Sequence, residues 1–140
     1  MIFGHRLGYR IWRQVRFFFQ RLFRGWDDSD TWSLDVSFYK WLKPRLERFV
    51  ELTNSYPDTK EYPTMEKWKK DLKKRLGQLE HLIAQDDLDF DDWSYIPKKK
   101  RLEYECDTDI YTTTINMLAF DYMAQDFNKW FSKHINQLWW

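Results

Sequence analysis

Residues 109–138 place Ile110, Met117, Leu118, Phe120, Ala124, Phe127, Trp130, Phe131, Ile135 and Leu138 on one broad apolar face at helical spacing. A helix this apolar must be covered on several sides, which predicts the centre of a helical bundle. Asp107-Thr108-Asp109 reads as its cap. Thr112-Thr113-Thr114 reads as a weak, exposed turn, because β-branched residues are poor helix formers.

Three earlier segments carry apolar stripes of their own. Residues 2–24 repeat Leu7, Ile11, Val15, Phe18, Phe19 and Leu22 at three- and four-residue intervals. Residues 30–53 do the same with Leu34, Phe38, Trp41, Leu42, Phe49 and Val50, and Pro44 within them predicts a kink or restart. Tyr56-Pro57-Asp58 and Pro63 mark a loop. Thr64 then caps a helix reaching about Ala84, with Met65, Trp68, Leu72, Leu76, Leu79 and Ile83 as its stripe. The expected fold is all-α: one domain over 1–140, a bundle of about four helices, with helix 2–24 packed on the bundle or extending from it. The alternation in Leu102-Glu103-Tyr104-Glu105-Cys106 allows a short β-hairpin near 93–106, although an isolated hairpin is marginal and a helical turn fits equally.

Charge is segregated along the chain. Arg6, Arg10, Arg13, Arg16, Arg21 and Arg24 gather opposite the apolar stripe of helix 2–24, with Phe17 among them, and no acid precedes Asp27. Such a helix fits an anionic membrane surface, a phosphate-bearing ligand, or plain packing with its arginines paired to nearby acids. Lys43, Arg45 and Arg48 make a second basic face. Lys67, Lys69, Lys70, Lys73, Lys74 and Arg75 make a third, read as solvated. The net charge of only +1 argues against a general nucleic-acid coat, so electrostatic targeting must come from patches.

Asp86-Asp87-Leu88-Asp89-Phe90-Asp91-Asp92 resembles a calcium loop in composition only. The turn glycine is missing, and Lys98 stands at the distal acid position. The run reads instead as an acidic connector beside Lys98-Lys99-Lys100-Arg101. Cys106 is the only cysteine, which points to a reducing, cytoplasmic setting. His81 sits where it complements a helix dipole, and His134 reads as peripheral. No apolar run approaches the roughly 20 residues of a spanning helix, and arginines interrupt any signal-peptide core.

Gly25-Trp26-Asp27-Asp28-Ser29-Asp30-Thr31-Trp32-Ser33-Leu34-Asp35 joins the basic segment to the rest. Gly25 ends one helix, and Asp28, Ser29 or Asp30 caps the next. Together with Phe38-Tyr39-Lys40-Trp41-Leu42-Lys43-Pro44-Arg45-Leu46-Glu47-Arg48-Phe49, this stretch resembles small tailed-phage proteins of unassigned function. Those carry a G-aromatic-S/D-D-x-D-x-W-x-L-D run and then an apolar Leu-Pro-Arg-Leu helix. Their later Tyr-Pro segment and Thr-Pro-Glu-Glu-Trp helix start correspond to Tyr56-Pro57 and Pro63-Thr64-Met65-Glu66-Lys67-Trp68, with the proline here before the threonine. The similarity covers residues 20–85. It implies a phage origin and an all-helical fold, and it implies no activity.

The chain shows no Gly-rich phosphate loop, nucleophile elbow or His/Cys metal spacing. The expectation is therefore a non-enzymatic binding protein without a cofactor. In the phage setting this would be a host-directed inhibitor in the host cytoplasm, binding a host defence protein or sequestering an anionic nucleotide signal. In the nucleotide version Arg10, Arg13, Arg45 and Arg48 clamp phosphates while Trp12, Trp26 or Trp32 stacks on the base. Two alternatives stand beside it: a basic amphipathic membrane-surface protein, and a magnesium-dependent nuclease or phosphodiesterase using the Asp27–Asp35 carboxylates. Trp139-Trp140 fits docking on the bundle or a homo-oligomer contact.

Overall fold

The structure is a computed structural model and describes residues 2–105 and 111–139. It is all-α. Five helices account for most of the described residues: α1 Ile2–Arg24, α2 Leu34–Leu52, α3 Met65–Ala84, α4 Lys98–Glu105 and α5 Thr112–His134. Short 3-10 turns lie at Asp28–Thr31, Trp93–Tyr95 and Ile135–Gln137, and no strand occurs among the described residues. The chain divides into two compact units, Met1–Phe38 and Tyr39–Trp140.

Local signals set most boundaries. Gly25 leaves α1 at φ +83°, a conformation costly for any residue with a Cβ, and its N–H bonds the Arg21 carbonyl. Thr64 caps α3 through its hydroxyl, which accepts from the Lys67 N–H. Gln85 closes α3 in the left-handed region at φ 53°. Pro44 lies inside one continuous α2 rather than dividing it. The cap near residue 28 belongs to Asp27. Asp27 and Asp30 form a reciprocal capping box on the 3-10 turn, so α2 starts only at Leu34.

The hairpin expected at 93–106 is absent from its described part. Trp93–Tyr95 is a 3-10 turn capped by Asp92, and Lys98–Glu105 is a helix. Pro97 immediately precedes that helix, where its missing N–H costs nothing, and Lys, Arg, Leu and Glu then favour helix. Cys106 and the expected Asp107-Thr108-Asp109 cap lie outside the described residues. Tyr111 precedes α5 without a side-chain cap.

The second unit is built on α5. Ala119, Met123, Phe127 and Trp130 are buried against Trp68, Leu72, Leu79 and Leu82 of α3 and Tyr39, Leu42 and Leu46 of α2. Each large apolar side chain in this set contributes about 1.5–3 kcal/mol on full burial. The Asn116 amide ties down the acidic connector: its Nδ2 donates to the Leu88 carbonyl, and its Oδ1 accepts from Trp93 Nε1, both at 2.8 Å. Phe90 is buried beside His81, Tyr95 and Phe120.

Two polar residues are buried where the sequence reading places them at the surface. Arg75 is only 8% exposed. It donates to Asp126 at 2.7 Å and Gln78 at 3.0 Å, lies 3.5 Å from Asp71, and covers the Trp130 ring at 5.2 Å. Gln78 in turn donates to Asp126 and to the Tyr95 hydroxyl. Tyr62 donates to Asp71 and accepts from Trp130 Nε1 at 3.0 Å. His134 is buried as well, ringed by Tyr62, Trp68 and Trp130, with Nε2 3.3 Å from Glu61 and Nδ1 2.6 Å from Gln137.

This network generates a stability prediction. Arg75→Ala strands Asp71, Gln78 and the half-exposed Asp126, and should cost about 2–3 kcal/mol in urea unfolding. Lys73→Ala, on the exposed side of the same helix, should change stability by less than about 0.5 kcal/mol.

Candidate functional site

Helical spacing of 100° per residue puts Leu7, Ile11, Val15, Phe18 and Leu22 along one side of α1, flanked by Trp12, Phe19 and Phe23. Arg6, Arg13 and Arg24 occupy the opposite side, with Phe17 between them. In a helix packed on a core, the first side would be covered. Here the covered side is the second.

The turn after Gly25 folds back onto the arginines. Asp28 accepts from Arg16 at 3.1 Å, Gln20 at 2.8 Å and Arg24 at 2.6 Å, and the Gln20 side-chain Oε1 accepts the Asp28 N–H. Asp27 is buried and lies 3.2 Å from Arg21 Nε. Trp32 meets Phe17 edge to face at 5.9 Å and carries Arg13 over its ring at 5.7 Å. Arg24 stacks on Trp26 at 3.8 Å. Phe17 is consequently 4% exposed.

The apolar side remains bare. Leu7, Ile11, Trp12, Phe18 and Leu22 are each 57–64% exposed and Phe23 is 82% exposed. The sequence reading leaves the Leu7–Leu22 stripe open to packing, a membrane surface or a partner; in the structure it is exposed. The turn is held on the guanidinium side by Asp27 and Asp28, which contact Arg16, Gln20, Arg21 and Arg24 of the last three turns of α1. Phe17, an aromatic ring centred among arginines, was the one signal of this in the sequence.

Hydrogen bonds hold the two carboxylates ionised. The Ser29 hydroxyl lowers the Asp27 pKa most, helped by the Ser29 N–H and Arg21 and opposed by burial. Gln20 and then Arg24 lower that of Asp28. These aspartates are therefore committed to the turn. With Asp30 in the capping box, three of the carboxylates proposed for a metal-dependent nuclease, Asp27, Asp28 and Asp30, are engaged in the turn, and no metal-binding cluster occurs among the described residues.

The seven residues expected to bind a ligand fall in both units. Arg10 and Arg13, with Arg6 and Tyr9, line a shallow hollow of about 410 Å³ on α1. Trp12 lies on the apolar flank, away from them. Trp26 and Trp32 each have one face covered by a guanidinium. Arg45 lies over Trp41 at 4.3 Å and donates to the Trp41 carbonyl, while Arg48 pairs with Glu51 at 2.6 Å. Both line a trough of about 620 Å³ between α2 and the end of α5. The chain matches no protein-family model, no curated protein and no solved structure.

The turn generates a pH prediction. Because the Asp27 and Asp28 pKa values are lowered on folding, their contribution is complete above the ordinary carboxylate value of 3.8 and is lost as pH falls through the lower folded values. Measured against intrinsic exchange at each pH, the protection of the Ser29 and Trp32 amides should fall below about pH 4 and stay flat from pH 5 to 8. Asp28→Asn should lower that protection at neutral pH.

Proposed function

We propose that this chain is a non-catalytic binding protein that docks on an anionic membrane surface through α1. The observation that carries the reading is the bare apolar side of a helix whose other side is arginine and is held by the chain's own turn. A long helix with a charged face, low mean hydropathy and Trp, Phe and Leu opposite is suited to lie in the headgroup–acyl boundary. Arg6, Arg10 and Arg13 have no ion-pair partner among the described residues. They add about 1 kcal/mol each near an anionic leaflet. Arg10 flanks the apolar side, where its long stem lets the charge reach the headgroups. No helix among the described residues is long and apolar enough to cross a membrane, so the docking is lateral.

The similarity of residues 20–85 to small tailed-phage proteins supports a host-directed role, with the inner face of the host membrane as the surface. A host protein covering the same face is the second reading. The exposed Trp12 on its flank favours it, because Trp is among the residues that dominate protein hot spots.

The test is co-sedimentation of the full chain with vesicles of mixed anionic and neutral phospholipid. Binding should fall roughly tenfold or more at high salt and be weak on purely neutral vesicles. Ile11→Glu with Phe18→Glu should abolish it without loss of helical signal. A wild-type chain that ignores anionic vesicles overturns the membrane reading and leaves the protein partner, captured by wild type and lost by the same variant.

A further inference from the structure

The trough in the second unit has a shape and chemistry distinct from the face of α1. Its floor and walls come from successive turns of α2, with Leu42, Leu46, Phe49 and Leu52 facing Phe131, Ile135 and Leu138. Along α2 it runs from Trp41 to Leu52, roughly 16 Å at the helical rise. Its volume of about 620 Å³ falls within the common range for small-molecule sites. It is therefore long, open and apolar, and suited to a flexible hydrocarbon chain more than to a compact ring system.

Its charged lining is of one sign. Arg45 and Arg48 are the only charged residues among those that form it. The Arg45 guanidinium is positioned in two ways, over the Trp41 ring and against the Trp41 carbonyl, and it has no carboxylate partner among the described residues. Arg48 shares its charge with the exposed Glu51. A fixed guanidinium beside an apolar channel is a receptor for a carboxylate or phosphate carried on a greasy tail.

We propose that this trough binds a single-chain anionic amphiphile, the tail along α2 and the head on Arg45. The site does not depend on α1 or on the membrane reading. The head is defined by charge and by two or three acceptor oxygens, so a long-chain carboxylate and a long-chain monophosphate are the two sources.

Equilibrium binding of laurate, dodecyl phosphate and dodecanol to the full chain, each below its micellar concentration, tests it. Laurate or dodecyl phosphate should saturate at one per chain, and whichever binds more tightly identifies the head. Dodecanol should bind at least tenfold more weakly. Arg45→Glu with Arg48→Glu should weaken the anionic ligand at least tenfold and remove its advantage over dodecanol. Ile135→Glu, at a half-exposed wall position, should weaken all three ligands. Ile11→Glu with Phe18→Glu should leave laurate binding intact while vesicle binding is lost, so the two readings fail separately. Unsaturable uptake, equal affinity for laurate and dodecanol, or full binding by the Arg45/Arg48 variant overturns the proposal.

Discussion

Asp28 governs the first unit. One carboxylate receives Arg16, Gln20 and Arg24, residues spaced at successive turns along one side of α1, while its N–H is accepted by Gln20. That set of bonds decides which side of the helix the following chain covers. Phe17 and Trp32 then meet because they flank the bonded side, and Arg13 lies on Trp32 for the same reason. The capping box at Asp27 and Asp30 fixes the turn tightly enough for this to happen within a few residues of Gly25.

The second unit solves a different problem. Its core is rich in rings that carry a polar atom, and each such atom must find a partner or cost free energy. Trp130 Nε1, the Tyr62 hydroxyl, Asp71, Arg75, Asp126, Gln78 and the Tyr95 hydroxyl are linked in sequence by hydrogen bonds or close charge contact. Burial and Asp71 hold the Tyr62 hydroxyl far above the ordinary phenol range, so it stays a donor. Arg75 can be buried because acids on two helices face it. Asp126 stays ionised because Gln78 and Arg75 outweigh the burial that opposes them.

What was legible in the sequence was local. Gly25, Thr64 and the end of α3 near Ala84 lie where cap and turn chemistry put them, and the period of α5 marked it as central. What was hidden depends on partners distant in sequence. Arg75 looked like one more cation on a lysine-rich face, and nothing near it shows that Asp126 lies opposite, 51 residues away. His134 looked peripheral for the same reason, since Glu61 and Tyr62 come from the loop before α3. Residues 98–105 were ambiguous because five alternating residues satisfy a strand pattern, and only neighbouring structure arbitrates. The expected ligand residues were chosen by residue type and charge pattern alone, and such patterns carry no sign that Arg13 lies on Trp32 or that Arg45 lies on Trp41, a residue not among them.

The periodicity of α1 shows that a face exists and is silent on what covers it. Energetics narrows that choice. An exposed ion pair contributes about 0–1 kcal/mol, whereas withdrawing a large apolar side chain from water contributes about 1.5–3 kcal/mol. A fold that uses its nearest turn to cover arginines, and leaves Leu7, Ile11, Phe18 and Leu22 in water, forgoes the larger gain for the smaller. That exposed area is what the docking proposed for α1 would withdraw from water. The same turn that leaves the face bare removes three arginines from competition and keeps the helix from closing on itself. Arg6 and Arg10, which have no ion-pair partner among the described residues, lie toward the end of α1 farthest from that turn, where approach to a negative surface is least obstructed by Asp27 and Asp28.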